Sequence, residues 1–151
     1  MIEPLRLSFV VACRPEHAFA TWTRKASSWW PIEHTASHES GTEIVFEPRE
    51  GGRIFERTPS GDEIEWGQVV EWDPPRRLRY LWHIATEPRN ATDVEIVFRE
   101  LPDSSTQVEI EHSGWDGLGE LGQAWRDANH AGWDGVLPWY TESCRVSPLR
   151  N

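Results

Sequence analysis

The sequence predicts an α+β fold, an antiparallel sheet with one apolar face covered by a long C-terminal helix. Three observations carry that prediction. Apolar residues alternate with polar ones in a succession of short segments separated by turn residues, the period-2 pattern of half-buried strands. One long stretch, from about Leu118 to Cys144, carries its apolar residues at helical spacing instead. A chain of 151 residues also suffices for one domain with a substantial core and is short for two, so residues 1–151 are read as a single domain.

Taken in order, Leu5, Leu7, Phe9, Val11 and Cys13 recur at every second position, with Arg6 and Ser8 between the first of them, in a first strand. Pro15 followed by Glu16 marks a helix start, and Ala18, Phe19 and Trp22 give it a short apolar stripe ending at Trp29-Trp30-Pro31. Residues 32–42 read as an irregular loop. Ile44 and Phe46 make a brief strand broken by Gly51-Gly52, and Arg53 to Thr58 pairs with Asp62 to Trp72 across Pro59-Ser60-Gly61. Asp73-Pro74-Pro75 forces another turn, after which Leu78, Tyr80 and Trp82 share one face and Arg77, Arg79 and His83 the other. Val94, Ile96 and Phe98, then Val108, Ile110 and His112, complete an antiparallel meander. Its apolar face needs a cover, and the long helix is the remaining candidate. Within that helix Gly119, Gly122, Gly132 and Gly135 each cost about 1 kcal/mol relative to alanine, which points to close approach or to room for something else. Pro138 is expected to kink the helix or start a new turn.

Composition narrows the function classes. Formal net charge is −10, a field that repels phosphate backbones and anionic membrane surfaces, so neither nucleic acid nor membrane is an expected partner. The apolar run from Leu7 to Cys13 is short for an export signal and lacks a basic flank. No stretch approaches the ~18 apolar residues of a spanning helix. Cys13 and Cys144 lie far apart in sequence, so reduced thiols and a cytoplasmic location are expected. Lys25 is the sole lysine, which points to GC-rich coding and a bacterial source. Ten tryptophans are more than a core of this size usually needs, and each brings an N–H that wants a partner when buried. They suggest an aromatic-lined cavity, with a dense aromatic core as the simpler explanation.

The residues that could carry chemistry each have a plainer reading. His34 and His38 have a spacing that suits zinc on a helix, but no third ligand stands nearby and a loop is expected there, so no metal is assigned. His112 falls on the inward face of the last strand, where it could orient a ligand, move a proton or simply be hydrogen-bonded into the core. An inward Glu56 under aromatics would have a raised pKa and could act as general acid or base, yet strict alternation puts Phe55 inward and Glu56 in water. Ser113-Gly114-Trp115-Asp116-Gly117 looks like a helix entrance with Asp116 as cap. Gly51-Gly52-Arg53 lacks the continuation of a phosphate loop. No serine or cysteine has the context of an activated nucleophile.

Together, Phe19-x-x-Trp22, Trp29-Trp30-Pro31, Phe46-Glu47-Pro48-Arg49-x-Gly51-Gly52-Arg53, Glu56, Gly61, Trp66-Gly67-x-Val69, Trp72-x-Pro74-Pro75-x-x-Leu78 and Trp82 form a recognisable pattern. His112-x-Gly114-Trp115 and Gly132-Trp133-x-x-Val136-Leu137 extend it over nearly the whole chain. The pattern resembles the START-like or SRPBCC superfamily, which includes the birch-pollen-allergen-like (Bet v 1-like) proteins. Within it, the branch named after the C-terminal domain of the heat shock protein 90 ATPase activator is the most similar. The Trp29-Trp30-Pro31 and C-terminal arrangement is also similar to an enediyne self-resistance protein of that superfamily. The resemblance implies a helix-grip fold, a curved antiparallel sheet wrapped around the long C-terminal helix with short helices after the first strand.

It further implies a cavity between sheet and helix. Lining candidates from the loop and sheet are Trp30, Phe46, Phe55, Trp66, Tyr80, Trp82 and Phe98, and from the helix Trp125, Trp133 and Tyr140; His112, Glu56 and Gln68 are the candidate polar groups. The expected function is binding of a small hydrophobic, aromatic molecule without a cofactor and without assigned catalytic residues. The alternatives are a cyclase or hydrolase acting on polyketide-like substrates through His112 or Glu56, a self-resistance or sequestration protein, and a chaperone ATPase activator. The named activators carry an additional N-terminal domain and one helix-grip unit uses up these residues, so chaperone binding is not expected. Ligand identity and oligomeric state are left open, since function lives in the site and not in the fold.

Overall fold

Alternation, interrupted at two points, decides which side chains face inward. The computed structural model describes residues 1–84 and 86–145. Its strands are β1 (Leu5–Val11), β2 (Glu43–Phe46), β3 (Arg53–Arg57), β4 (Glu63–Asp73), β5 (Arg77–Trp82), β6 (Thr92–Glu100) and β7 (Thr106–Ser113). They form one antiparallel sheet in the order β1-β7-β6-β5-β4-β3-β2. Leu78, Ile96 and Ile110 lie opposite one another across β5, β6 and β7 and are buried on the inner face. The outer face carries ion pairs such as Arg79 with Asp93 at 2.7 Å and Arg99 with Glu109 at 2.8 Å. Partly exposed pairs of this kind add little stability and chiefly keep the outer face wet.

Helix α1 (Pro15–Trp22) begins on Pro15, whose missing N–H would be unpaired in a first turn anyway. Short 3-10 turns at Ala26–Ser28 and Ile32–His34 follow, and this segment carries the chain from β1 at one sheet edge to β2 at the other. Helix α2 (Gly122–Arg145) is longer and lies across the same face. Trp133, Val136, Tyr140 and Cys144 are its buried stripe, and the Tyr140 hydroxyl donates to the Ala18 carbonyl at 2.9 Å. Trp22 of α1 stacks on Trp133 with centroids 5.9 Å apart. The helix-grip architecture expected from the sequence is the one observed.

Several details differ. The helix starts at Gly122 and not Leu118, because Gly119 takes a left-handed φ of 64° and separates α2 from a 3-10 turn at Trp115–Leu121. Leu121, expected on the apolar stripe, is exposed. Helix α2 runs through Pro138 without restarting: Pro138 and Asp134 both lie on its exposed side, where water can take the carbonyl that lost its donor. Asp116 does not cap a helix; its carboxylate accepts the Ile2 N–H at 3.1 Å and ties down the N-terminal segment. The free thiols of Cys13 and Cys144, distant in sequence, come together in the core, and the hydrogen bond to Cys13 together with burial pushes the Cys144 thiol up.

Two β-bulges in β4 reset the alternation. Ile54 pairs with Gly67 and Phe55 with Glu65, which leaves Trp66 as an extra residue, and a second register shift leaves Val70 extra. Bulges bend a strand and increase its twist, and here they curve the sheet towards α2. Gly67 is required at the first of them, since a Cβ there would lie 1.9 Å from the Leu81 carbonyl oxygen.

Candidate ligand pocket

The pocket lies at the end of the sheet where β5 and β6 part. Trp82 ends β5 and Thr92 starts β6, and His83, Ile84, Thr86 and Asn90 between them line the cavity. Trp115 and Leu118 of the 3-10 turn before α2 form one wall and Trp30 and His34 another. The third wall is one face of α2, made by Trp125, Ala128, Asn129, Gly132, Trp133 and Val136. The enclosed volume is about 230 Å³, just under the ~300 Å³ at which ordinary small-molecule sites begin. Asn90 and Ala128 are exposed and mark its mouth. The glycines of α2 have different roles here: at Gly132 a Cβ would meet nothing within 4 Å, whereas at Gly135 it would lie 2.5 Å from His34 Nε2.

Behind this wall a polar network fixes the indoles. Trp133 Nε1 donates to His112 Nδ1 at 3.1 Å, so the imidazole proton is on Nε2, which donates to Thr92 Oγ1 at 2.7 Å. Thr92 Oγ1 in turn donates to the Trp82 carbonyl at 3.3 Å, and Trp115 Nε1 to the His112 carbonyl at 3.0 Å. Burial pushes the His112 pKa down to about 3, with Asp93 opposing the shift, so the ring is neutral at ordinary pH. Its role is to position Trp133 and Thr92, because it is wholly buried and does not itself reach the cavity.

A second network ties the 35–42 loop to the sheet. Glu56 accepts the Ala36 N–H at 2.6 Å, the Ser37 N–H at 3.0 Å and Trp66 Nε1 at 2.7 Å. Burial pushes its carboxyl up, but the hydrogen bonds from Ser37, Ala36 and Trp66 outweigh it and hold the pKa below the usual carboxylate range. This is an ionised structural anchor and not a general acid.

A family model for activator of Hsp90 ATPase homolog 1-like protein matches residues 12–138. The chain belongs to this family. Among solved structures, the anthrahydroquino-γ-pyrone synthase Txn09 is 33% identical, with 82% of this chain and 84% of that chain covered at a TM-score of 0.59. The self-sacrificing resistance protein CalC from Micromonospora echinospora is 24% identical over 94% of each chain, TM-score 0.70. Protein Ms6760 from Mycobacterium smegmatis is 15% identical over 95% of this chain and 91% of that one, TM-score 0.67. The last two show a shared fold. No curated protein matches the sequence.

In this member of the activator-like family the residues singled out from sequence divide into groups. Trp30, Trp82, Trp125 and Trp133 line the cavity. Phe46, Trp66, Tyr80, Phe98 and Tyr140 point inward as expected but belong to the core around it, and Phe46 also lines a separate groove between α1 and β2. Two assignments were out of phase. Phe55 is on the outer face between the guanidinium groups of Arg53 and Arg57, 4.2 and 5.3 Å from its ring centroid, and Glu56 is fully buried on the inner face. Gln68 faces out and is exposed, because the Trp66 bulge moves the residues between it and the second bulge by one position. His83, placed with the outward arginines, is buried and lines the pocket, since β5 ends at Trp82 and the phase ends with it. His34 and His38 do not converge on a metal, and among the described residues no three His, Cys, Asp or Glu side chains do. Among the described residues, no helix is long and apolar enough to cross a membrane.

His112→Phe tests the first network. It leaves Trp133 Nε1 and Thr92 short of a partner and is expected to cost about 1–3 kcal/mol at neutral pH. In the parent protein the folded-state pKa of His112 lies below its ordinary value of 6.5, so the unfolded chain binds more protons in between. Stability therefore falls as pH drops from about 6.5 towards 3, at about 1.4 kcal/mol per unit. Urea titrations between about pH 6.5 and about 4.5, above the carboxylate range, should give a shallower slope in H112F, with His17, also lowered by burial, still contributing; an unchanged slope would contradict the assignment.

Proposed function

We propose that this protein binds a small, flat hydrophobic molecule in the pocket between α2 and the open end of the sheet. The observation that carries the reading is the wall itself: indoles from the loop after α1, from β5, from the 3-10 turn and from α2 converge on one cavity with a mouth. Aromatic faces favour stacked or edge-on aromatic partners by about 0.5–1.5 kcal/mol beyond area burial. The small volume favours a compact ligand of a few fused rings. A groove of about 620 Å³ between α1 and β2 is larger, but Glu16, Arg24 and Glu43 are among its lining and Trp72 is its single indole, so it lacks the convergence of indoles.

A catalytic reading, ring closure on an aromatic polyketide-like substrate, is favoured by the 33% identity with a γ-pyrone synthase. The chaperone reading rests on the family's name. The test is titration with the neutral fluorophore N-phenyl-1-naphthylamine. A saturable one-to-one complex with blue-shifted probe emission and quenched tryptophan emission is expected, and an absence of saturation would contradict the proposal. Recovery of an unaltered ligand distinguishes binding from turnover.

A further inference from the structure

Among the buried polar side-chain atoms of the pocket wall, His83 Nδ1 is the one without a hydrogen-bond partner. The same ring's Nε2 lies 3.0 Å from Glu65 Oε2, and since a carboxylate only accepts, the imidazole proton sits on Nε2. Nδ1 is then a bare acceptor, and it is buried without a partner. The residue is 6% exposed and held from both sides. Its N–H donates to the Trp66 carbonyl at 2.6 Å, and its own carbonyl accepts the Thr86 N–H at 2.8 Å and the Thr86 hydroxyl at 2.9 Å. The ring cannot readily turn away to find water without giving up the Glu65 contact.

The other polar groups of the pocket wall contrast with it. Thr92 is engaged by His112 and the Trp82 carbonyl, Thr86 by His83, and Asn129 donates to the Trp125 carbonyl. The Nε1 atoms of Trp30, Trp115 and Trp133 have partners within the protein. Buried acceptors are rarely left unpaired, and no donor among the described residues reaches this one. What Nδ1 lacks is a neutral donor supplied by the occupant. An ammonium group would meet no charged partner inside the wall, whereas a hydroxyl exchanges one hydrogen bond to water for one to Nδ1.

We propose that His83 Nδ1 accepts a hydrogen bond from a hydroxyl group on the bound aromatic ring, so that the pocket selects phenols over unsubstituted arenes. Glu65 is the positioning residue that fixes the tautomer. This rests on the pocket being a ligand site, and the experiment separates the two ideas. The affinities of 1-naphthol and naphthalene are measured by tryptophan quenching for the parent protein and for His83→Phe. The naphthol-to-naphthalene preference, taken as the ratio of the two affinities in each protein, is expected to fall about tenfold in the variant. In the parent protein the ¹⁵N resonance of His83 Nδ1 should move upfield with 1-naphthol and stay in place with naphthalene. That measurement needs no variant, and an unmoved Nδ1 signal with naphthol bound overturns the proposal whatever H83F does. Binding of both probes with an unchanged preference in H83F overturns the hydroxyl selection and leaves the pocket standing. Failure of both probes to bind overturns both.

Discussion

Glu56→Leu is expected to destabilise the protein by about 3–5 kcal/mol, the largest stability effect of any single site described. The carboxylate accepts three hydrogen bonds at 3.0 Å or less, and bonds to charged groups contribute about 1.5–3 kcal/mol each before compensation. The Ala36 and Ser37 amides are half-buried and can hydrate in the variant. Trp66 is fully buried and cannot. Glu56→Gln keeps the shape and offers one acceptor oxygen, so it should retain part of the loss. The pH dependence has a fixed sign. The folded-state pKa of Glu56 is lowered, so its contribution is present above the unfolded carboxylate value of about 4.3 and is lost as pH falls through the folded one. Denaturant midpoints of parent and E56Q should therefore converge below about pH 4. Equal stability of E56L and parent at neutral pH would show that the loop is held by something else.

Gly132→Phe is expected to abolish binding of pocket ligands, by at least about 100-fold, while leaving the fold intact or slightly more stable. A Cβ at this position meets no atom within 4 Å, and Gly132 is on the pocket wall in the middle of α2. A phenyl ring there occupies the ligand's own space. Replacing a helix-interior glycine removes a cost of up to about 1 kcal/mol, part of which phenylalanine's lower helix propensity takes back. Loss of affinity without loss of thermal stability distinguishes blocking from unfolding. Unimpaired probe binding in G132F would place the ligand elsewhere. Gly135 is the internal contrast: its Cβ would strike the His34 ring, so substitution there is expected to disturb the wall and stability together.

Much of this was legible from alternation, and the failures share a physical cause. On β5, β6 and β7 the inward residues Leu78, Tyr80, Val94, Ile96, Phe98, Val108, Ile110 and His112 follow period 2 without interruption, and their faces are read correctly. On β3 the pattern Arg53-Ile54-Phe55-Glu56-Arg57 supports two phases. Hydrophobicity alone favours Phe55 as the inward residue, but two arginines at i±2 share its face and can cover its ring, while an inward Glu56 is stable once three donors converge on it. Trp66 is a neighbour the hairpin itself supplies, but the other two donors come from residues 36 and 37, which local sequence does not place beside it. The bulge at Trp66 has no residue signature of its own, so Gln68 was assigned the wrong face.

The site was less legible than the fold. Inward-facing aromatics divide into core and pocket according to where α2 crosses the sheet, and period 2 carries no information on that. Tyr80 and Trp82 look alike in sequence, yet the first lies in the packed interior and the second at the open end. Gly132 and Gly135 likewise differ only in what stands opposite them. His83 could have been found from one signal: it follows the last strand residue and precedes a loop of Pro, Asn and Thr residues, where the strand phase no longer applies.

The tryptophans provide the most direct measurement of the central claim, because each indole N–H is a separate resonance in a ¹H–¹⁵N spectrum. On titration with N-phenyl-1-naphthylamine the account predicts saturable shifts of the Trp82, Trp125 and Trp133 indole signals, which line the pocket, with Trp72, which lines the groove between α1 and β2, left in place. Shifts centred on Trp72, or no saturable shift of any indole signal, would contradict it.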